Sequence, residues 1–132
     1  MTILVGVDIQ EIGEVRESME IFGDRHIRRT YTDYEIDDCF GHANGAAGAP
    51  SSRFAAEKAM FEILTTAHPW SSWREGEVRR LQSGHPSNAL RGAAAEQAAR
   101  QGISTISLSL SQSGGTATAV VVAESTTGSI DR

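Results

Sequence analysis

The spacing of apolar residues divides this chain into segments with the alternating pattern of a strand and segments with the three-to-four-residue spacing of a helix. Apolar and polar residues alternate in the last third of the sequence, and shorter apolar runs occur earlier; both patterns are typical of β-strands. Four segments are predicted as strands: 3–11, 75–82, 104–112 and 116–124. Because Ser113-Gly114-Gly115 separates the last two, we expect a hairpin with Ile106, Leu108 and Leu110 on one face and serines on the other.

The longest helical pattern lies between Ser51 and Leu64, and the helix is predicted to begin at about Arg53. Two serines can cap its start, and the Ala, Glu, Lys and Met residues that follow are strong helix formers. At about 100° per residue, one apolar stripe of this helix faces a core. That stripe comprises Ala56, Met60, Ile63, Leu64 and Ala67.

The charged residues of the same helix take two positions relative to the stripe. Lys58 and Glu62 lie one turn apart on the opposite face, where they can interact. Glu57 is predicted to lie at the border of the stripe. A carboxylate at that border can face a cleft instead of bulk water.

Three further helices are predicted, over residues 13–22, 33–40 and 88–101. The first should bury Val15, Met19 and Phe22, which share one face. Thr32 and Glu35 form a capping box, which fixes the start of the second helix. The third is rich in alanine and closed by a glycine. The Gly- and Ala-rich segment 41–50 is predicted as a loop.

Length and composition indicate one domain of a protein that needs no disulfides. The 132 residues are enough to bury a core, and we predict a single domain over residues 1–124 with a flexible tail at 125–132. Cys39 is the sole cysteine, which predicts a small buried thiol in a reducing compartment. Neither a signal peptide nor a membrane span is visible, so we expect a cytoplasmic protein. A net charge of −5 with scattered basic residues argues against a nucleic-acid partner.

The residues themselves give one strong site candidate, the carboxylate of Asp8. It follows an apolar run that predicts a buried strand, and an unpaired carboxylate is costly to bury. A cation or a hydrogen-bond donor should therefore lie beside it. A cap on the following helix, or a side chain turned to solvent at the strand end, would also explain its position.

A series of blocks in a fixed order resembles the small 4'-phosphopantetheinyl transferases of the holo-acyl-carrier-protein synthase type. The resemblance extends from about residue 3 to residue 124. Its blocks are Gly6-Val7-Asp8-Ile9, Tyr31-Thr32-Asp33-Tyr34-Glu35, Arg53-Phe54-Ala55-Ala56, Gly84-His85-Pro86, Leu90-Arg91-Gly92 and Ser109-Leu110-Ser111. It implies an α+β fold in which a small antiparallel sheet wraps around a long central helix, and it implies a homotrimer.

The activity implied by the resemblance is transfer of 4'-phosphopantetheine from coenzyme A to a serine of an acyl or peptidyl carrier protein. Magnesium is the implied cofactor, with Asp8 and Glu57 as its expected ligands. We expect four catalytic residues: Asp8, Glu57, Lys58 and Glu62. Four others are expected to bind coenzyme A: Arg53, Pro86, Ser111 and Gln112.

The chain departs from the family at four positions. The relatives have Lys-Glu-Ala where this chain has Glu57-Lys58-Ala59, so Lys58 stands at the position of a metal-binding glutamate. Glu62 stands at a family lysine, and Gln112 at a histidine. Glu14 replaces an arginine that faces the acidic carrier protein, and like charges oppose such docking. Magnesium requires near-octahedral geometry, so a displaced carboxylate does not simply replace the missing ligand.

These departures leave a second function open. The fold could have lost its magnesium chemistry and act as a metal-free cyclase- or dehydratase-like enzyme, or as a binding protein, in a polyketide or other secondary-metabolism pathway. In that case Asp8, Glu57 or Glu62 would serve as the acid or base, with a raised pKa.

Overall fold

A computed structural model describes residues 1–40, 49–64 and 73–126 of the chain. Five strands and four helices follow one another in chain order, with a short 3-10 turn at Trp73–Glu75. The strands are β1 (Thr2–Glu11), β2 (Gly76–Arg80), β3 (Pro86–Leu90), β4 (Ile103–Ser113) and β5 (Thr116–Ser125). The helices are α1 (Ile12–Thr30), α2 (Asp33–Phe40), α3 (Ala49–Ile63) and α4 (Gly92–Arg100).

The strands form two antiparallel sheets, as expected for an α+β protein. A three-stranded sheet has the order β1-β5-β4, and β2 pairs with β3 in a second sheet. Gly114 and Gly115 join β4 to β5 with positive φ angles of 57° and 87°, the conformation that a tight hairpin turn requires. Leu108 is buried on the inner face of β4, while Ser107 is exposed, so the predicted alternation is confirmed.

Helix α3 is the centre of the core and packs against β1, β5 and β2. Its predicted apolar stripe is buried as far as the described residues extend, namely at Ala56, Met60, Ile63 and Leu64. Gly6 allows β1 to approach this helix closely, because a Cβ at that position would lie only 2.1 Å from the backbone oxygen of Ala59. This contact brings the end of β1 beside the charged residues of α3.

The start of α3 differs from the prediction. The helix begins at Ala49 instead of about Arg53, and both Ser51 and Ser52 lie within it and are buried. Pro50 is compatible with the first helical turn, where its missing N–H would have no intrahelical partner. The serines therefore do not cap the helix, although their residue type and their place before the helix formers suggested that they would.

Residues 88–101, predicted as one alanine-rich helix, also fold differently. Pro86–Leu90 pairs with β2 as strand β3, and only Gly92–Arg100 is helical. The physical reason is pairing between segments distant in sequence, which a local propensity does not reveal. Gly92 has a φ of +56° and marks the change from strand to helix.

Helix α1 is longer than predicted and contains a kink. Gly23, with φ 70° and ψ −158°, interrupts a helix that continues to Thr30. Val15 is buried as expected, but Phe22 beside the kink is 63% exposed. The predicted apolar face of this helix is therefore only partly covered within one chain.

Strand β1 is also less buried than the sequence indicated. Alternate residues on its outer face are between 45% and 62% exposed, namely Ile3, Val5, Val7 and Ile9. These four residues are called the outer β1 face below. Its neighbours across the register on β5 include Val120 and Val122, which are half-buried. An apolar sheet face is thus open to the solvent in the single chain.

The capping box at the start of α2 is confirmed. The Glu35 amide donates to Thr32 Oγ1 at 3.1 Å, and the Thr32 amide donates to Glu35 Oε1 at 2.9 Å. Cys39 in the same helix is buried, as expected, and burial raises the pKa of its thiol to about 11. Nothing in the described part of the chain has the helix length and apolar content needed to cross a bilayer.

Some sequence predictions lie outside the described residues. They concern most of the 41–50 loop, the end of the central helix near Pro69, and the tail beyond Thr126.

Candidate active site

Asp8 lies at the centre of a small charged cluster where β1 meets α3. Lys58 Nζ lies 3.7 Å from Asp8 Oδ1, and Gln10 Nε2 donates to Asp8 Oδ2 at 2.5 Å. Each oxygen of the Asp8 carboxylate therefore faces a donor. Lys58 also lies 5.6 Å from the centre of the Phe54 ring, a cation–π distance. The side chain of Lys58 is 37% exposed, so its ammonium remains accessible to a ligand.

Glu62 belongs to the same cluster, one helical turn beyond Lys58. Its Oε1 accepts a hydrogen bond from the backbone N–H of Val7 at 3.2 Å. This bond ties the exposed edge of β1 to α3. The structure therefore brings together three of the four predicted catalytic residues: Asp8, Lys58 and Glu62.

Glu57 lies elsewhere. It is fully buried, and neither of its carboxylate oxygens has a hydrogen-bond partner. Burial and the nearby Glu35 carboxylate raise its pKa well above the ordinary value. The predicted border position of Glu57 is therefore wrong: α3 packs on more than one side, so this residue faces the protein interior near α2 and not Asp8.

Glu35 and Glu57 form a buried acidic pair with unequal support. Glu35 Oε2 accepts from the Val78 amide at 2.8 Å, in addition to the capping-box bond of its Oε1. Burial raises the pKa of Glu35, although these backbone bonds oppose the rise by stabilising its charged form. The pair therefore has donors for one carboxylate and none for the other.

A third buried carboxylate, Glu77, is well compensated. Its Oε1 accepts from Arg79 Nε at 2.6 Å and from Arg91 Nη2 at 2.8 Å. Burial alone would raise its pKa, but the hydrogen bond from Arg79 and the charge of Arg91 contribute to a net lowering. Glu77 has the partners that Glu57 lacks.

A cavity of about 430 Å³ brings together the four residues predicted to bind coenzyme A. Arg53, Pro86, Ser111 and Gln112 all line it. They come from three separate regions, α3, β3 and β4, and Gln112 Nε2 donates to Ser52 Oγ at 2.8 Å across the cavity wall. Their role in binding a coenzyme stays a prediction, but their convergence is a fact of the fold.

Arg80 and His85 also line this cavity, and the sequence did not predict either as a site residue. Arg53 forms an ion pair with Asp38, and Arg80 Nε lies 3.5 Å from the same carboxylate. Arg80 also donates to the Gly84 carbonyl at 3.1 Å. The Gly84-His85-Pro86 block was a sequence signal for this turn, but Arg80 becomes visible only when β2 and β3 pair.

The residues beside Asp8 do not fit magnesium. The ion takes oxygen ligands at about 2.1 Å in an octahedron, and cations repel it. Here Lys58 places a positive charge 3.7 Å from one oxygen of Asp8 and Gln10 donates to the other, while Glu57 lies in the core. Within the described ranges, no group of three or more His, Cys, Asp or Glu residues is placed to hold a metal ion.

Fold and cavity together define the class of this protein as a small α+β domain of the phosphopantetheinyl-transferase type. A curated holo-acyl-carrier-protein synthase of Desulforudis audaxviator is 36% identical over 123 residues, covering 93% of each chain. Among solved structures, holo-acyl-carrier-protein synthase from Neisseria meningitidis superposes with a TM-score of 0.80 at 27% identity, covering 92% of this chain and 97% of that one.

A Bacillus anthracis holo-acyl-carrier-protein synthase, solved in complex with CoA (3',5'-ADP), has a TM-score of 0.72 at 25% identity and covers 93% and 96% of the two chains. No protein-family model matches this chain. The chain belongs to the holo-acyl-carrier-protein synthase family, since curated members match it over nearly its whole length. Membership favours the transferase prediction over a metal-free cyclase, dehydratase or binding protein.

Proposed function

We propose that this protein transfers 4'-phosphopantetheine from coenzyme A to a serine of an acyl carrier protein. One observation carries the proposal: the sequence match to holo-acyl-carrier-protein synthases includes 93% of this chain and 93% of a relative. In the reaction, the serine oxygen bonds to the phosphorus that carries pantetheine. The diphosphate bridge breaks, 3',5'-ADP leaves, and the serine proton passes to a base.

The cavity supports coenzyme A as the substrate. Arg53 and Arg80 supply two guanidinium groups, which suit phosphate oxygens because of their planar arrays of donors. Asp38 holds both, so their orientation is set before a ligand arrives. Ser111 and Gln112 add neutral polar groups to the lining of the cavity. The cavity thus combines charge with hydrogen-bond donors.

The charge pattern of α1 supports an acidic carrier protein as the partner. The first half of the helix carries Glu14, Glu17 and Glu20, whereas the second half carries Arg25 and Arg28, both exposed. The acidic half alone would repel the carrier. We assign docking to the basic half, next to the exposed Phe22 at the kink.

The outer β1 face supports a homotrimer. Four apolar side chains at 45–62% exposure form a continuous strip on a sheet face, and such strips are commonly covered by another protein surface. Val5→Lys should place a charge in this strip. We expect light scattering to give a trimer mass for the natural chain and a smaller mass for the variant; a monomer for both would contradict the proposal.

Mass spectrometry tests the transfer directly. The protein is incubated with coenzyme A and an apo carrier protein, once with magnesium and once with EDTA, and the carrier is weighed. We expect the carrier to gain the mass of one phosphopantetheine in both buffers. Arg80→Gln should lower the rate about tenfold or more if it holds phosphate, whereas Arg100→Gln on the exposed face of α4 should not. No gain in either buffer would end the proposal.

A further inference from the structure

We propose that the Lys58 ammonium takes, beside Asp8, the place of a divalent cation, so that this chain binds the diphosphate of its coenzyme without magnesium. The inference rests on the proposed function and concerns how the charge of the diphosphate is balanced beside Asp8. The family resemblance implies a magnesium ion at Asp8, whereas the structure has a lysine side chain there.

Asp8 already has a donor beside each of its carboxylate oxygens. One carboxylate oxygen faces Lys58 Nζ at 3.7 Å and the other accepts from Gln10 at 2.5 Å. A magnesium ion about 2.1 Å from Oδ1 would meet the positive charge of Lys58, and one at Oδ2 would share that oxygen with the Gln10 amide. A resident cation therefore already neutralises Asp8.

Among the described residues, neither of the other two carboxylates predicted for this site is placed with Asp8 in a group that could hold a metal ion. Glu57 is buried in the core near Glu35, and a rotation of α3 that exposed it would bury Lys58 instead. Glu62 Oε1 accepts from the Val7 amide, so this carboxylate is directed at the β1 backbone. Since consecutive helical residues point about 100° apart, the order Glu57-Lys58 sends the carboxylate inward and the amine toward Asp8.

The ammonium group of Lys58 is well suited to bind a phosphate oxygen. An ammonium is a compact point charge with three donors, and lysine is a common phosphate ligand. Asp8 and the Phe54 ring hold the side chain from two sides, while 37% of it is exposed. The ammonium can therefore meet a phosphate oxygen without first breaking its contact with Asp8.

Calorimetry of coenzyme A binding tests the inference. The natural protein is titrated with coenzyme A in EDTA and again in millimolar magnesium. We expect dissociation constants that agree within about twofold, and transfer rates that do the same. The inference would be wrong if the dissociation constant were at least tenfold larger in EDTA, or if transfer occurred only with magnesium. Either result would leave the proposed function intact. Absence of both binding and transfer in both buffers would overturn both.

Two substitutions sharpen this test. Lys58→Met removes the charge at similar length and should weaken coenzyme A binding about tenfold or more in EDTA. Lys58→Glu places a second carboxylate near Asp8. The variant should bind coenzyme A at least tenfold more tightly in magnesium than in EDTA. Circular dichroism confirms that each variant is folded before titration.

Arg100→Glu is the matched control for the Lys58→Glu charge change. It alters net charge by the same amount on the exposed face of α4, where Arg100 pairs with Glu96. Its coenzyme A binding should stay independent of magnesium. If Lys58→Met binds as tightly as the natural chain in EDTA, Lys58 does not hold the phosphate and the inference is wrong.

Discussion

Glu57 and Lys58 are neighbours in sequence but belong to two regions with opposite electrostatics. Lys58 lies in a half-open cluster, where an opposite charge from Asp8 is 3.7 Å away. Glu57 lies in a closed core, where burial and the like-charged Glu35 raise its pKa and the charge of Arg53 offsets only part of that rise. Burial makes a charge more costly and makes its partner more important. The open region therefore tolerates charge, and the closed region favours a proton on Glu57.

The buried carboxylates Glu35 and Glu57 differ in the hydrogen bonds that they accept from the backbone. Glu35 receives two backbone N–H groups, from Thr32 and Val78, whereas Glu57 receives none. Glu35 joins α2 to β2 through these bonds. Glu57 contributes an acid that the fold must keep neutral.

Gly6→Ala should be the most damaging change, and it should act on the open region. The new Cβ would lie 2.1 Å from the Ala59 oxygen, so β1 must move away from α3 and carry Asp8 from Lys58. We expect a loss of about 3 kcal/mol or more in the free energy of unfolding, measured by urea denaturation. Gly76→Ala is the control, because its Cβ would meet Phe61 at an ordinary 3.5 Å. Equal losses in both variants would contradict the proposed close approach.

Glu35→Ala should be the next largest change and should act on the closed region. It leaves the amides of Thr32 and Val78 without their acceptor, which costs about 2–4 kcal/mol in the free energy of unfolding. Glu57→Ala is the matched comparison, since its oxygens accept no hydrogen bond. A cost for Glu57→Ala as large as that for Glu35→Ala would show that the two carboxylates are equally supported. Chemical denaturation at pH 6 measures both.

The local parts of this fold were predictable from the sequence, and the reason is visible in the same residues. Thr32 and Glu35 satisfy each other within one turn, so their capping box needs no distant partner. The glycines of the β4–β5 hairpin are equally local. By contrast, β3 exists because it pairs with β2, and an alanine-rich sequence does not reveal that pairing.

The site was predictable to a similar extent. Asp8 was identified from the cost of burying its charge, and Lys58 does lie beside it. The convergence of Arg53 with Gln112 in one cavity was expected only through the family resemblance. Glu57 was misplaced because helical periodicity gives the angle between residues but not how many sides of the helix are covered. Contacts of α3 with α2 and β2, as well as with the large sheet, decide its burial.

Glu57→Gln should change the pH dependence of stability. A carboxyl whose pKa is raised on folding binds more protons in the native state, so stability falls as pH rises from the ordinary value of about 4.3 through the raised value. Gln cannot ionise and can donate to Glu35. We expect the variant to be more stable by about 1–2 kcal/mol at pH 8 and to gain little at pH 5.

Thermal unfolding between pH 5 and pH 8 measures this difference. Glu96→Gln on the exposed surface of α4 is the control for losing one carboxylate, and its curve should follow that of the natural chain. A Glu57→Gln curve parallel to the natural one would mean that Glu57 is not the group that takes up the proton.

Lys58→Met should have the smallest effect on stability, although it removes a charge from the proposed phosphate site. Its ion pair with Asp8 is partly exposed, and such pairs contribute roughly 0–1 kcal/mol to the free energy of unfolding. Urea denaturation at pH 7 should therefore give nearly the same midpoint as for the natural chain, while coenzyme A binding in EDTA weakens. A loss of stability above about 2 kcal/mol would exceed the range for exposed pairs. It would place Lys58 with the closed region, as a structural residue, and remove the contrast between the two neighbours on α3.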